Sequence, residues 1–321
     1  MRRRGLRAVD SSRGRLRRVL PVVVGVALLL AALWVVADHR ASVLEGVRHA
    51  AGSPWWAVAL VIVFPVVSIG TTSASLWLLT RRYGPVGYAE MHALVAGAML
   101  LNFLPMRPGL LGRLAYHKRV NGILVRHSVR VLIEAGVLSL VSAGVLLGIG
   151  ASGALGHSVG ADAFVLGMPY LLLLAVWWFA RREPLGGVLA AGAVRYLDML
   201  VWTARYGLLL WMLGTPVGLE EAVVIASLSQ VAMLAPTGGG GVGVREWTVG
   251  LVGGGLGATL ETALVADLVN RSAELAAAVP LGLVGLWLVR RRVKGGPRAR
   301  KGGGEGTTGG SGEGSGPDAS P

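Results

Sequence analysis

The stretch with the clearest chemical potential is residues 229–247, which read SQVAMLAPTGGGGVGVREW. An apolar run stops at Pro236, five of the next seven residues are glycine, and Arg245 then opens a second apolar run. Proline ends a helix, and glycine lets the backbone adopt positive φ. A glycine-rich turn that enters a helix presents unpaired N–H groups to an anion, and Arg245 adds a positive charge. The stretch therefore predicts an anion-binding site made by Gly239, Gly240, Gly241, Gly243, Arg245 and Glu246.

This stretch has two other interpretations, a dinucleotide-binding loop and an exposed loop. A Gly-x-Gly-x-x-Gly spacing runs through Gly238, Gly240 and Gly243. A dinucleotide site would need a preceding β-strand, whereas a proline-terminated apolar helix comes first here, so we reject that interpretation. The second alternative is an exposed flexible loop between two membrane spans, and the sequence leaves it open. At membrane depth, irregular backbone is tolerated only where protein or a watery cavity surrounds it.

Composition predicts an all-α polytopic membrane protein. The chain has 321 residues, 53% of them hydrophobic, and a mean hydropathy of +0.62. Several runs approach the ~20 apolar residues that cross a bilayer. The net charge of +14 is concentrated in the two tails and in loops beside apolar runs, which is typical of the positive-inside bias. We therefore expect no nucleic-acid partner. The absence of cysteine excludes disulfides and thiolate chemistry.

The domain organisation follows from charge and hydropathy. Residues 1–18 contain eight arginines and predict a basic cytosolic arm, residues 19–293 a transmembrane domain, and residues 294–321 a disordered Gly/Ser-rich tail. Residues 38–54 are predicted as a loop outside the membrane. Basic clusters then place both termini in the cytosol of a bacterial cell. The predicted full spans are residues 19–37, 55–80, 131–149, 164–180, 196–213 and 264–289.

Two interrupted segments predict re-entrant helical hairpins. The first begins with residues 92–105, which are too few to cross comfortably, and turns near Pro108 and Gly109. The second has limbs at residues 222–235 and 247–260. Counting those limbs as two full spans also satisfies the charge pattern, so charge alone does not decide. An arginine follows each interruption, Arg113 in the first and Arg245 in the second. Paired interruptions of this kind predict an inverted repeat with a substrate site near the bilayer midplane.

Ionisable residues within spans are expensive and indicate function. The predicted intramembrane polar network comprises Glu134, Asp198, Arg205, Asp267, Asn270, Arg271 and Glu274. The alternative is a set of self-neutralised pairs, with Arg271 bonding Asp267 or Glu274 on its own helix. Glu134, near a helix start, is expected to extend to the membrane surface. Arg245 and Glu246 are adjacent and point in different directions, so they need not satisfy one another.

Nothing in the sequence argues for catalysis or for a cofactor. The six histidines lie mostly in loops and never at helical spacing with another metal ligand. No Gly-x-Ser-x-Gly turn, His-Glu-x-x-His motif or nucleophile–base pair is present. We therefore expect no enzyme activity, no metal and no cofactor.

Two segments, LNFLPMRPGLLGRL (101–114) and LAPTGGGGVGVREW (234–247), resemble the motifs of the lysylphosphatidylglycerol synthase transmembrane-region family, also called flippase-like. The resemblance extends over about residues 20–292. In the first motif, Met106 and Arg107 separate prolines where the family commonly has Pro-Gly directly. The resemblance implies an all-helical bundle with re-entrant hairpins, in which Arg113, Arg245 and Glu246 serve the substrate. The synthases also carry a soluble aminoacyl-transferase domain, for which this chain has no room, so that activity is not expected.

Two functions follow as hypotheses. The first is a flippase-like translocator in the cell membrane that moves an anionic, aminoacylated or glycosylated lipid. Arg245 and the glycine turn would hold the lipid phosphate, Arg113 would do so from the opposite side, and Glu246 would pair or carry a proton. The second is a non-transporting partner subunit of an envelope glycosyltransferase or lipid-modifying enzyme, in which the polar residues are structural. A membrane enzyme acting on lipids would need a nucleophile or metal that the sequence lacks.

Overall fold

The computed structural model describes residues 20, 23–103, 108–153, 155–183, 185–235 and 241–294. The predicted basic arm, all but the first residue of the predicted tail, Gly239 and Gly240 lie outside these ranges. Every regular element within them is an α-helix. In chain order these are α1 (Val23–Asp38), α2 (Arg40–Ala51), α3 (Trp55–Thr80), α4 (Tyr88–Asn102), α5 (Pro108–Val120), α6 (Val125–Ala151), α7 (Val159–Ala180), α8 (Gly186–Met212), α9 (Leu219–Ala232), α10 (Val244–Gly255) and α11 (Leu260–Lys294).

The helices α3, α6, α7 and α11 are long and apolar enough to cross a membrane, and α1 with α2 would make a fifth such unit, bent by 83°. The protein is therefore membrane-embedded, and the predicted spans in α3, α6, α7 and α11 are confirmed as apolar helices. Among the four, α7 has the least of its surface buried and packs chiefly against α8. Helix α8 covers the predicted span 196–213 up to Met212 but begins ten residues earlier, at Gly186.

The prediction of a loop over residues 38–54 is wrong, because α2 occupies most of that segment. Its sequence, RASVLEGVRHAA, is rich in residues that favour helix. Val43 and Ala50 pack against the main hydrophobic core, and α2 contacts α8 and α11. Pro54 then precedes α3 and separates the two helices.

Two pairs of short helices stand where the sequence predicts hairpins. Helices α4 and α5 have 15 and 13 residues, and α9 and α10 have 14 and 12. At ~1.5 Å per residue, each is shorter than the ~30 Å hydrocarbon layer. The members of each pair pack on one another.

Helices α3–α6 and α8–α11 follow the same order of lengths, with two short helices between two long ones. We call α3–α6 the first repeat and α8–α11 the second repeat. Helix α3 packs on α8, the short helix α4 packs on α11, and the short helix α9 packs on α6. The Trp56 ring stacks on Trp211 at 5.9 Å, while the Thr71 hydroxyl donates to Asp198 at 2.8 Å. Trp56 comes before Thr71 in the chain, whereas its partner Trp211 comes after Asp198, so α3 and α8 are antiparallel.

Helices α4 and α5, which we call the first helix pair, approach each other at the backbone; α9 and α10 are the second helix pair. A side-chain Cβ at Gly109 of α5 would lie 2.1 Å from the Ala98 carbonyl oxygen of α4. On the other side of α4, a Cβ at Gly285 of α11 would lie 2.4 Å from the Ala93 carbonyl oxygen. Small residues allow such close helix crossings in membrane proteins. Helix α4 is therefore held between α5 and α11 with no room for larger side chains.

Helix α1 lies outside both repeats and contacts the second helix pair. The Trp247 indole N–H donates to the Leu28 carbonyl oxygen at 2.9 Å. A Cβ at Gly243 would lie 2.4 Å from the Gly25 carbonyl oxygen. Helix α1 thus packs against the start of α10.

Candidate functional site

The glycine turn leads directly into α10, as predicted. Gly241 and Gly243 have φ of +78° and +80°, values that L side chains rarely adopt. The Gly243 N–H donates to the Glu246 carboxylate at 2.7 Å. A carboxylate from the chain itself therefore caps the N-terminus at which the sequence predicts an external anion.

The Arg245 side chain points toward α11. It is 1% exposed, and its Nε donates to Asp267 Oδ2 at 3.1 Å. Its Nη1 donates to both oxygens of Glu274, at 3.2 and 3.1 Å. Charge-assisted hydrogen bonds of this kind are the strong ones in a protein interior. Two carboxylates therefore compensate the single positive charge of Arg245.

Five further residues complete the polar network around Arg245. Arg205 donates to Glu274 at 3.0 Å and to Asn270. The Tyr206 hydroxyl donates to Asp267 at 2.6 Å, and Arg271 donates to Glu246 at 2.5 Å. We call this set the second-repeat cluster: Arg205, Arg245, Arg271, Glu246, Asp267 and Glu274, with Asn270 and Tyr206 bonded to it. Its three cations and three carboxylates give no net charge.

The expected pairing of Arg271 with Asp267 or Glu274 on its own helix is wrong. Asp267 pairs with Arg245, and Glu274 pairs with Arg245 and Arg205. Arg271 pairs with Glu246 of α10. The carboxylates lie on a face of α11 that α8 and α10 cover, so arginines from those helices reach them in a buried setting. Spacing along α11 carries no information about that packing.

Three donor nitrogens of the second-repeat cluster are buried and have no hydrogen-bond partner: Arg205 Nη1, Arg245 Nη2 and Asn270 Nδ2. Buried polar groups are nearly always hydrogen-bonded, so each unsatisfied group calls for an explanation. Each of the three groups has an N–H that can donate a hydrogen bond to an acceptor oxygen.

The first helix pair presents its arginine differently. Arg113 on α5 is half-buried and forms no hydrogen bond or ion pair with the residues that the structure describes. Burial lowers the pKa of Arg113 to about 10, and the Arg195 guanidinium acts in the same direction. Burial also lowers the pKa of His117, one turn further along α5.

Arg195 lies on α8 beside Asp198. Its Nη1 donates to Asp198 at 2.9 Å and to the Thr72 hydroxyl at 3.0 Å, while its Nε is buried without a partner. The second Asp198 oxygen accepts the bond from Thr71. Arg195 and Asp198 on α8 therefore form an ion pair that two threonines of α3 complete.

Glu134 lies apart from the second-repeat cluster and from the Arg195–Asp198 pair. It pairs with Arg130 at 3.0 Å and with Arg82, and its side chain is partly exposed. Helix α6 begins at Val125, so Glu134 lies further from the helix start than the sequence predicts. Of the predicted network, Arg205, Asp267, Asn270, Arg271 and Glu274 come together, whereas Asp198 pairs with Arg195.

Arg195 and Tyr206 are not among the polar residues that the sequence predicts. The predicted span begins at residue 196, which places Arg195 in a loop. Its spacing of three from Asp198 was the available signal. Tyr206 gave no signal, since an aromatic residue inside an apolar run is ordinarily part of the core.

An open apolar groove of 470 Å³ lies between α3, α8 and α9, and its lining includes Trp56, Phe64, Ala204 and Trp211. No group of three or more His, Cys, Asp or Glu side chains within the described ranges could hold a metal ion.

Comparison with protein-family models, curated proteins and solved structures finds no match to this chain.

Proposed function

We propose that the protein is a membrane lipid translocator, related to the flippase-like family that its two motifs resemble. The substrate is a lipid whose headgroup bears a phosphate, and aminoacylated or glycosylated headgroups belong to the same class. The protein lies in the bacterial cell membrane with both termini in the cytosol. In this proposal six helical passages cross the bilayer, and the pairs α4–α5 and α9–α10 enter it from opposite sides without crossing.

The observation that carries the proposal is the antiparallel pair of repeats. Each repeat interrupts its helices at the same place and positions an arginine just after the interruption, Arg113 or Arg245. Inverted repeats with broken helices place substrate between them in transporters. Buried ionisable groups in a membrane protein mark such pathways. The six charges of the second-repeat cluster supply these groups.

Two further features support a lipid as the substrate. The apolar groove beside Phe64 and Trp211 is open at the side of the helix bundle, which suits an acyl chain. The unpartnered donors on Arg205, Arg245 and Asn270 suit headgroup oxygens. An amphipathic substrate needs both kinds of surface.

We expect purified protein in liposomes to move fluorescent phosphatidylglycerol between leaflets, and the double variant Arg245→Gln/Asp267→Asn to slow this movement at least about tenfold. The double change removes one positive and one negative charge, so the second-repeat cluster stays neutral. Quenching by dithionite measures the lipid that remains outside. Arg130→Gln is the matched control, because Arg130 is 70% exposed and lies outside the second-repeat cluster.

The proposal fails if wild-type protein moves no lipid across a panel that includes phosphatidylglycerol and polyprenyl-phosphate lipids. It also fails if the double variant is well folded and transports at the wild-type rate, since the second-repeat cluster would then have no role in transport.

The charge balance of the second-repeat cluster favours one alternative, a non-transporting partner subunit of an envelope enzyme. A neutral, largely bonded set of buried charges can serve helix packing alone. In that case an apolar replacement of the whole set would preserve folding and partner binding. Co-purification of an envelope glycosyltransferase with a transport-inactive wild type would support this alternative.

A further inference from the structure

We propose that the second-repeat cluster binds its anion together with one proton, which Glu274 takes up. This inference deepens the proposed function and rests on it, because it names the ion that enters with the lipid headgroup. The anion is a phosphate diester, and the proton comes from water. Glu274 is ionised before the anion binds and neutral while the anion is bound.

The unsatisfied donors of the cluster belong to side chains that meet at Glu274. Arg205 Nη2 donates to Glu274 Oε1 at 3.0 Å, and Arg245 Nη1 donates to the same oxygen at 3.2 Å. Arg205 Nη2 also donates to Asn270. The Cζ atoms of the two arginines lie 4.3 and 5.8 Å from the centre of the Trp202 ring. Direct contacts therefore bring the three side chains into one site, and each has a buried N–H without an acceptor among the described residues.

The charge of the cluster decides how an anion can enter. Its three arginines and three carboxylates already balance one another. A phosphate diester would add one negative charge, and an unpaired charge is costly in a buried site within a membrane. A buried acid in such a site avoids the cost by taking up a proton. One proton for each bound monoanion keeps the cluster neutral.

The other helices that pack against α11 do not supply the missing positive charge. Helix α3 carries no ionisable residue, and the charged residues of α2 are exposed. The acids, bases and histidine of α4 and α8 outside the cluster bond elsewhere, in three pairs: Glu90 with Arg292, His92 with Ser73, and Arg195 with Asp198. Within the described ranges, no further cation is therefore placed to balance the anion.

Glu274 is the carboxylate of the cluster that is placed to take up the proton. Its side chain is 14% exposed, whereas those of Asp267 and Glu246 are fully buried. The other two carboxylates are also fixed by neutral donors, Asp267 by the Tyr206 hydroxyl and Glu246 by the Gly243 N–H. An entering headgroup therefore meets Glu274 before it meets the other two acids.

Protonation of Glu274 changes the hydrogen bonding of the site in two ways. A neutral acid binds guanidinium groups less strongly than a carboxylate does, so Arg205 and Arg245 become free to turn to the anion. The acid also gains an O–H that can donate to a phosphate oxygen. The unesterified oxygens of a phosphate diester accept several such bonds, and guanidinium groups suit them well. The headgroup thus replaces the carboxylate as counterion of the two arginines.

Calorimetry in detergent tests this coupling directly. Short-chain phosphatidylglycerol would be titrated into the full-length protein in buffers of different ionisation enthalpy, which counts the protons taken up. We expect about one proton for each lipid bound, and an affinity that falls by up to about tenfold for each unit of rising pH. The phosphate diester stays ionised at neutral and mildly acidic pH, so the proton is bound by the protein. Short-chain phosphatidylcholine, which has no net charge, is expected to bind without proton uptake.

Two variants assign the proton to Glu274. Glu274→Gln has the size of the neutral acid but cannot ionise, so we expect lipid binding without proton uptake and with an affinity independent of pH. Glu274→Asp keeps an ionisable carboxylate and is expected to retain the proton uptake. Glu134→Gln is the matched control, because Glu134 also pairs with two arginines but lies apart from the cluster. We expect it to bind the lipid and the proton as the wild type does.

The wild-type protein alone can overturn the inference. Binding of phosphatidylglycerol without proton uptake does so, even if Glu274→Gln does not fold. Proton uptake that persists in a folded Glu274→Gln also overturns it. Dimethyl phosphate presents the same anion without acyl chains, so equally tight binding of dimethyl phosphate and phosphatidylglycerol overturns the assignment to a lipid headgroup.

Transport in liposomes distinguishes failure of this inference from failure of the proposed function. If phosphatidylglycerol moves between leaflets at a rate independent of pH and binds without a proton, the inference fails and the proposed function stands. If the lipid binds with a proton but the wild type moves no lipid, the inferred site stands and the proposed function fails.

Discussion

Replacing Gly109 with alanine is expected to abolish the packing of α5 on α4. The new methyl carbon would lie 2.1 Å from the Ala98 carbonyl oxygen and 2.6 Å from the Ala98 Cα. Both are backbone atoms, so no side chain can rotate away to relieve the overlap. Overpacking costs about 1–3 kcal/mol even where side chains adjust, and we expect a loss at or above that range here. Thermal denaturation followed by size-exclusion chromatography in detergent measures the effect.

The same helix contains its own control. Gly112→Ala introduces a methyl group that, among the residues the structure describes, has no atom of another element within 4 Å. Alanine favours helix over glycine by about 0.5–1 kcal/mol, so this variant is expected to melt at or slightly above the wild-type temperature. Equal melting temperatures for Gly109→Ala and Gly112→Ala would show that α4 and α5 do not approach as closely as described.

Replacing Arg245 alone with methionine is expected to destabilise the protein by about 3–5 kcal/mol, the usual effect of removing one partner from a buried ion pair. Asp267 is fully buried and would lose its cation, whereas Glu274 would keep its ion pair with Arg205. The free energy of unfolding would be measured by denaturant titration in mixed micelles. A loss of unfolding free energy as small as that seen for exposed ion pairs would contradict the burial of this site.

A second substitution distinguishes charge from packing. Adding Asp267→Asn to Arg245→Met removes one uncompensated carboxylate, so the double variant is expected to be more stable than Arg245→Met alone. Residues in direct contact couple by about 0.5–3 kcal/mol in double-mutant cycles. Additive effects would mean that Arg245 and Asp267 do not interact. The same cycle with Arg130 and Glu134, an exposed pair, serves as the reference for weak coupling.

The long helices were predictable because the apolar runs and the residues that flank them indicate the same boundaries. Residues 55–80 form one helix as predicted, since Pro54 precedes it and Arg81 and Arg82 follow it. Helix α8 shows the limit of the approach. The residues of its first turns are small and weakly apolar, so the apolar run places the start of the span at residue 196 and leaves Arg195 outside it.

The place of Arg245 at the start of a helix could be predicted from the glycine-rich motif, but its partners could not. Which carboxylate meets Arg245 depends on how α10 lies against α11, a contact between residues 22 and 29 positions apart.

Helix α7 packs chiefly against α8, yet the proposed topology depends on it. In that topology each repeat crosses the membrane twice, an even number of passages, so a second copy joined directly to the first would enter the membrane facing the same way. One additional passage reverses it, and the 22 residues of α7, ~33 Å of helix, are enough for that passage. Parity therefore constrains α7 by length and hydropathy rather than by the identity of its side chains. A chain without α7 would insert α8 parallel to α3, and the Trp56–Trp211 contact could not form.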